Sequence, residues 1–306
     1  MSDDVIHRFS FADAPIRGQW VRLSGSLAEA FGRRDYPEPA RRLLGEMMAA
    51  VSLMADGIKF DGRVALQARG RGAVTTALAE CRDRQLLRGI VRFDDDDTRE
   101  AGADGAGALG NEPSLSSLLG NGQMAITLTP DADTAQAYQG VVALDDDSLA
   151  RNLEAYFHNS EQLPSRLFFA FDGDTVTGML LQRLPVADLA TELTLDLHED
   201  TWREIEMKAD TVTEAELGGL PVEQLLRRLF HENTVTLHAA RSLEFSCTCS
   251  RERAENMLKA LPKEEILELL ETQGMVDVTC EVCGARYEYD HVDAHVLYEP
   301  GEPRVH

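Results

Sequence analysis

No stretch of this 306-residue chain is apolar for long enough to cross a bilayer. The longest, Met47 to Ala55, falls well short of the roughly 20 residues a spanning helix needs. The N-terminus, Met1-Ser-Asp-Asp-Val-Ile-His-Arg, has acids where a secretion signal has bases, and no apolar segment follows it. A cytoplasmic protein without a membrane partner is therefore expected. Positive charge is short as well: lysine is scarce, and 30 basic residues face 53 acidic ones for a net charge of −23. Such a surface repels nucleic-acid phosphates over a Debye length of about 8–10 Å, so no nucleic-acid partner is expected. A P-loop, a G-x-G-x-x-G after a strand and an ordered Ser-His-Asp set are all missing, and the carboxylates are too numerous to single out a catalytic pair. The chain is not expected to be an enzyme. It also lacks internal repeats and a low-complexity tail.

What is present is an ordinary hydrophobic content of 43%, enough to bury a core. The pattern reads as α+β in three parts: a mixed α/β core domain over 1–185, a helical linker over 186–245 and a small cysteine-bearing domain over 246–306. In the first part Leu43, Leu44, Met47, Met48, Val51, Met54 and Ile58 recur at helical spacing. Val64 and Leu66 alternate with polar neighbours as in a half-buried strand, and 124–129, 140–144 and 167–171 read as further strands. Ser148 is placed to cap a helix whose inner face is Leu149, Leu153, Tyr156 and Phe157. Asp94–Asp97 and the Gly-rich residues 101–110 read as a solvated loop rather than a cation site. The second part is rich in Leu and Glu and carries an apolar stripe of Leu217, Leu220, Leu225, Leu226, Leu229 and Phe230. Ordinary helix packing explains such a stripe. So does a surface held back for binding, and Val235-Thr-Leu has the character of a short strand.

Cysteine is sparse, five in all, but four lie together near the C-terminus as Cys247-Thr-Cys249 and Cys280-Glu-Val-Cys283. In a reducing cytosol this favours metal or redox chemistry over structural disulfides. Two close pairs around a helical insert suit a tetrahedral Zn2+ site, one per chain, with Cys247, Cys249, Cys280 and Cys283 as ligands. The insert supports this: Ser250 caps one helix, Pro262 with Glu264 and Glu265 starts another, and Gly274 ends it. Leu258, Leu261, Ile266, Leu267 and Leu270 are expected to form its small core. Four thiolates leave no open position for substrate, so the metal is not read as catalytic. Such a ribbon commonly serves as a structural staple. Here the first pair is C-x-C, and a disulfide within it would close a strained ring of the labile, regulatory kind. A competing set, Cys280 and Cys283 with His291 and His295, has only seven residues between its halves and orphans Cys247 and Cys249; the histidines are read as surface residues. From Ser246 to His306 the segment holds 13 acids and 6 bases, unsuited to nucleic acid. Cys81, alone in sequence, is read as a bystander.

These residues resemble the redox-regulated 33 kDa chaperonin (HslO) family over nearly the whole chain. The likeness is densest at Ile16-Arg-Gly, Leu44-Gly-Glu, Ile58-Lys-Phe-Asp-Gly, Tyr138-Gln-Gly-Val-Val and Tyr156-Phe-His-Asn-Ser-Glu-Gln-Leu-Pro. It continues through Gly178-Met-Leu-Leu-Gln-Arg-Leu-Pro and Leu229-Phe-His-Glu to Phe245-Ser-Cys-Thr-Cys-Ser-Arg-Glu-Arg. The resemblance implies an ATP-independent holdase that protects unfolding proteins under oxidative stress. It further implies Zn2+ on the four cysteines in an inactive reduced form, and Cys247–Cys249 and Cys280–Cys283 disulfides in an oxidised, dimeric, active form. Zinc loss would unfold the small domain and free the linker stripe, Leu217 to Phe230, for client binding. A zinc-stapled enzyme and a passive zinc-ribbon adaptor are the alternatives that the residues by themselves leave open.

Overall fold

The computed structural model describes residues 4–32, 34–58, 61–93, 114–131, 136–185 and 192–298, with the backbone alone for 192–198. The loop read at 94–110 lies outside the described residues. Where the sequence suggested three parts, the chain divides into two compact units, Met1–Ser246 and Cys247–His306.

The first unit contains β1 (Val5–Phe11), β2 (Ile16–Leu23), α1 (Gly25–Phe31), α2 (Glu38–Gly57), β3 (Gly62–Arg69), β4 (Val74–Arg82) and β5 (Leu86–Phe93). It continues with α3 (Leu115–Leu119), β6 (Gln123–Pro130), β7 (Tyr138–Val142), α4 (Leu149–Ser160), β8 (Ser165–Phe171) and β9 (Val176–Arg183). Then come α5 (Glu192–Ala209), α6 (Glu214–Gly219), α7 (Val222–Leu229), β10 (Val235–Leu237), β11 (Arg241–Ser242) and β12 (Glu244–Phe245). One sheet runs β10-β1-β2-β9-β8, with β11 also on β1; the other runs β12-β5-β4-β3-β6-β7. All pairings are antiparallel except β12 on β5.

The longest apolar run of the sequence is the centre of this unit. Pro37 caps α2, its fixed φ suiting the entry to a helix, and every residue from Met47 to Asp56 is buried. A helix buried all round needs cover on opposite sides, and both sheets supply it in one continuous core. Glycines let the backbones close in. A Cβ at Gly89 of β5 would lie 2.8 Å from Leu44, and one at Gly178 of β9 would lie 3.1 Å from Leu53. The cap at α4 forms as expected, Ser148 Oγ accepting from the Arg151 N–H, with Leu149, Leu153, Tyr156 and Phe157 buried beneath.

The outer face of the first sheet carries a second core. Phe9, Phe11, Ile16, Trp20, Met179 and Leu181 are covered there by Trp202, Ile205, Leu217, Leu225, Leu226, Leu229 and Phe230. Residues 192–245 thus belong to the first unit. Their ionic contacts run the same way: Arg166 of β8 pairs with Glu154 of α4 and with Glu206 and Asp210 at α5. Among the described residues no helix is long and apolar enough to cross a membrane.

The second unit holds α8 (Arg251–Lys259), α9 (Lys263–Gln273), β13 (Val276–Thr279), β14 (Arg286–Tyr289) and α10 (His291–Tyr298), with β13 and β14 antiparallel. Ser250 Oγ caps α8 through the Arg253 N–H, and Gly274 ends α9 at φ 79°. Leu258, Ile266 and Leu270 are buried and Leu267 packs beside them, but Leu261 is 43% exposed and does not join the core. Tyr289, Val276, Ala254 and Ala294 fill the space. The sequence reading stopped at the insert and missed the hairpin and α10, which complete the small core.

Candidate metal centre

Two local structures bring the cysteines together. Cys247 and Cys249 lie on the extended segment that ends at the Ser250 cap, where Arg253 Nη1 also donates to Thr248 Oγ1 at 2.8 Å. Cys280 and Cys283 sit at the tip of the β13–β14 hairpin. There the Gly284 N–H donates to Cys280 O at 2.7 Å, and the Cys280 N–H to Ala285 O at 2.8 Å. That turn needs a left-handed residue, and Gly284 supplies it at φ 63° without a Cβ penalty. The hairpin is fixed to the start of α8 by Tyr289. Its hydroxyl donates to Arg251 O at 3.1 Å, and the Arg251 guanidinium lies 4.5 Å over its ring. Arg251 also pairs with Asp293 of α10 at 3.0 Å.

The four sulfurs fall within 4.8 Å of one another. Cys247 Sγ is 3.7 Å from Cys280 Sγ, and Cys249 Sγ is 3.2 Å from Cys283 Sγ. An ion with tetrahedral bonds of about 2.3 Å sets its sulfurs about 3.8 Å apart. The donor set and spacing fit such an ion. Electrostatics point the same way. Burial, then hydrogen bonding within the cluster, pushes the Cys283 thiol up to about 12; burial also raises Cys247. At Cys249 burial acts upward too, but the hydrogen bond from the Tyr287 hydroxyl at 3.2 Å and those from the other thiols outweigh it, bringing the thiol down to about 7. Four crowded sulfurs hold one another's protons in place until a cation neutralises them. The four close cysteines can hold a metal ion.

The other sequence candidates sit elsewhere. His291 and His295 are exposed on α10 and are not part of the cluster. Cys81 is fully buried on β4, and burial pushes its thiol up to about 12. Of the linker stripe, Leu217, Leu225, Leu226, Leu229 and Phe230 are buried and Leu220 is partly buried. Their cover is the outer face of the first sheet. The sequence reading missed that face and also Tyr287. The alternation in Arg8-Phe9-Ser10-Phe11 and in Arg286-Tyr287-Glu288-Tyr289 was the available signal for both.

Fold and site define a two-unit protein with a buried-helix sandwich and a small unit built on a four-thiol centre. A family model described as "Hsp33 protein" matches residues 4–290. The chain is 41% identical over 303 residues to the 33 kDa chaperonin of Azotobacter vinelandii, covering 98% of this chain and 97% of that one. It is 39% identical over 297 residues to that of Chromobacterium violaceum, covering 97% and 94%. The crystal structure of the 33 kDa chaperonin of Thermotoga maritima superposes with a TM-score of 0.76 at 20% identity, covering 96% of this chain and 97% of that one, a likeness of fold. The chain belongs to the Hsp33 family, a family of chaperones and not of enzymes.

Proposed function

We propose that this protein is a cytoplasmic, ATP-independent holdase switched on by oxidation of its four-cysteine centre. The observation that carries the reading is the set of four sulfurs within 4.8 Å, held in a unit with only a small core of its own. So small a core rarely suffices alone. Zn2+ on Cys247, Cys249, Cys280 and Cys283 would supply the rest, on the order of 10–16 kcal/mol in small zinc peptides at neutral pH.

The chain's residues set the order of events. A zinc-bound cysteine reacts as its thiolate, the nucleophile toward peroxide. Two thiols give up two electrons and two protons to form one disulfide, and hydrogen peroxide leaves as two waters. The family likeness supports the pairing Cys247–Cys249 and Cys280–Cys283, although the shortest sulfur contacts run between the two pairs. Each disulfide removes two ligands, and the unit loses the metal and its stability together. Unfolding clients then bind the stripe of Leu217, Leu220, Leu225, Leu226, Leu229 and Phe230 once it leaves the first sheet, and the active form is a homodimer. Apolar area of this kind stabilises capture by about 25 cal/mol per Å2 covered.

Light scattering from a thermally unfolding client tests the reading, with the protein either zinc-loaded and reduced or peroxide-oxidised. Suppressed aggregation only after oxidation is expected. Equal suppression in both states would remove the redox control, and none in either would remove the holdase.

A further inference from the structure

A second concave site lies at the C-terminal end of α2. The cavity, about 390 Å3, is lined by Arg8 of β1, Arg17 and Gln19 of β2, Asp56 and Gly57 of α2, and His238 just beyond β10. Its charges do not cancel. The buried Asp56 carboxylate receives Arg8 at 2.6 Å and Arg241 at 2.5 Å, so one acid already serves two guanidiniums. Arg17 is a third, and its bonding partners are neutral oxygens, Gln182 Oε1 at 2.8 Å and Gly57 O at 3.3 Å. Burial, and then the charge of Arg8, lowers its pKa. Arg84 at the edge is matched by Asp61 at 3.2 Å.

The conservative account is that Arg8 and Arg17 cap the last carbonyls of α2. That account uses Asp56 O and Gly57 O and leaves one feature unexplained. Two guanidinium charges exceed the one buried acid. Gln19, only 2% exposed, lines the same cavity. A Cβ at Gly57 would meet Arg17 Nη2 at 3.2 Å and Gln19 Nε2 at 3.6 Å, so both side chains converge on one point of the wall. Those two nitrogens are N–H donors, the groups from which an oxyanion accepts. Guanidinium forks match the oxygens of a tetrahedral or planar oxyanion.

We propose that this cavity binds a phosphate-sized oxyanion between Arg8, Arg17, the Gln19 amide and His238. The chain's overall negative charge gives no general attraction for anions, so saturable binding here is local. The probe is inorganic phosphate, titrated calorimetrically into the full reduced chain at constant ionic strength, with chloride as the matched control. Saturation at low millimolar phosphate is expected, weakened about tenfold by Arg17→Gln, which removes one charge-assisted contact and leaves the Asp56 pairs intact. The melting temperature of that variant in chloride buffer checks its fold. Amide NMR of the unaltered protein gives a second reading: phosphate should shift Gly18 and Gly57 first. Tighter binding of a sugar monophosphate would assign the extra volume to an organic phosphate, and equal binding would assign the site to the free ion. No saturation, or saturation with neither Arg17 dependence nor shifts at Gly18 and Gly57, overturns the proposal.

Discussion

Single residues decide which thiols can act. Cys81 and Cys283 both have thiols pushed up to about 12, yet only Cys283 has sulfurs beside it to share a metal. For Cys81 the consequence is alkaline. Its folded pKa lies above the ordinary thiol value of about 9, so between about 9 and about 12 the unfolded chain releases a proton that the native chain keeps. Its contribution to stability is complete below pH 9 and declines as pH rises toward about 12. Urea denaturation across the alkaline range should show a gentler decline for Cys81→Ala than for the unaltered protein; an identical slope would mean the thiol titrates alike in both states. A thiol reagent applied to the metal-free reduced chain should count four groups in the native state and the fifth only after unfolding. Spacing alone marked the four cysteines that the fold brings within 4.8 Å of one another, because sulfur pairs leave a mark in sequence. Tyr287 left only a strand alternation, and its place beside Cys249 depends on a hairpin register that pairs it with Val278.

At the level of elements, legibility followed periodicity. α2 and α4 were readable because their apolar positions recur every three to four residues, and at α4 Ser148 supplies a side-chain cap. β1 and β2 were not singled out, and with them went the cover of the linker stripe. An apolar stripe shows that a helix packs but cannot name the surface it packs on. Replacing Leu225 and Leu229 with Ser removes two buried side chains from that contact and should weaken it by several kcal/mol, at about 2–5 for each large-to-small change. Client capture by the reduced, zinc-loaded protein is the expected result, read by light scattering. Unchanged behaviour in both redox states would detach the stripe from function. Gly89→Ala tests the other packing layer, since its Cβ would press on Leu44 and Met48 of α2. A loss of about 1–3 kcal/mol in urea denaturation is expected from such overpacking.

The molecule as a whole is two compact units, and they should melt separately. Calorimetry of the zinc-loaded protein should resolve two transitions, and a chelator should abolish the one belonging to Cys247–His306 while leaving the other in place. A single transition insensitive to chelation would mean the small unit needs no metal. The join between the units repays a mechanical view. The last three strands of the first unit are two or three residues long, and they are divided between sheets: β10 and β11 lie on β1, and β12 lies on β5. The final rung, Ser246 N–H to Leu87 O at 2.7 Å, stands one residue ahead of Cys247. Tension on that end meets β12 first, then β11, then β10, each held by only a few hydrogen bonds. As they peel away, the edges of β5 and then β1 are left with unpaired N–H and C=O groups, a template that accepts an extended strand of any sequence.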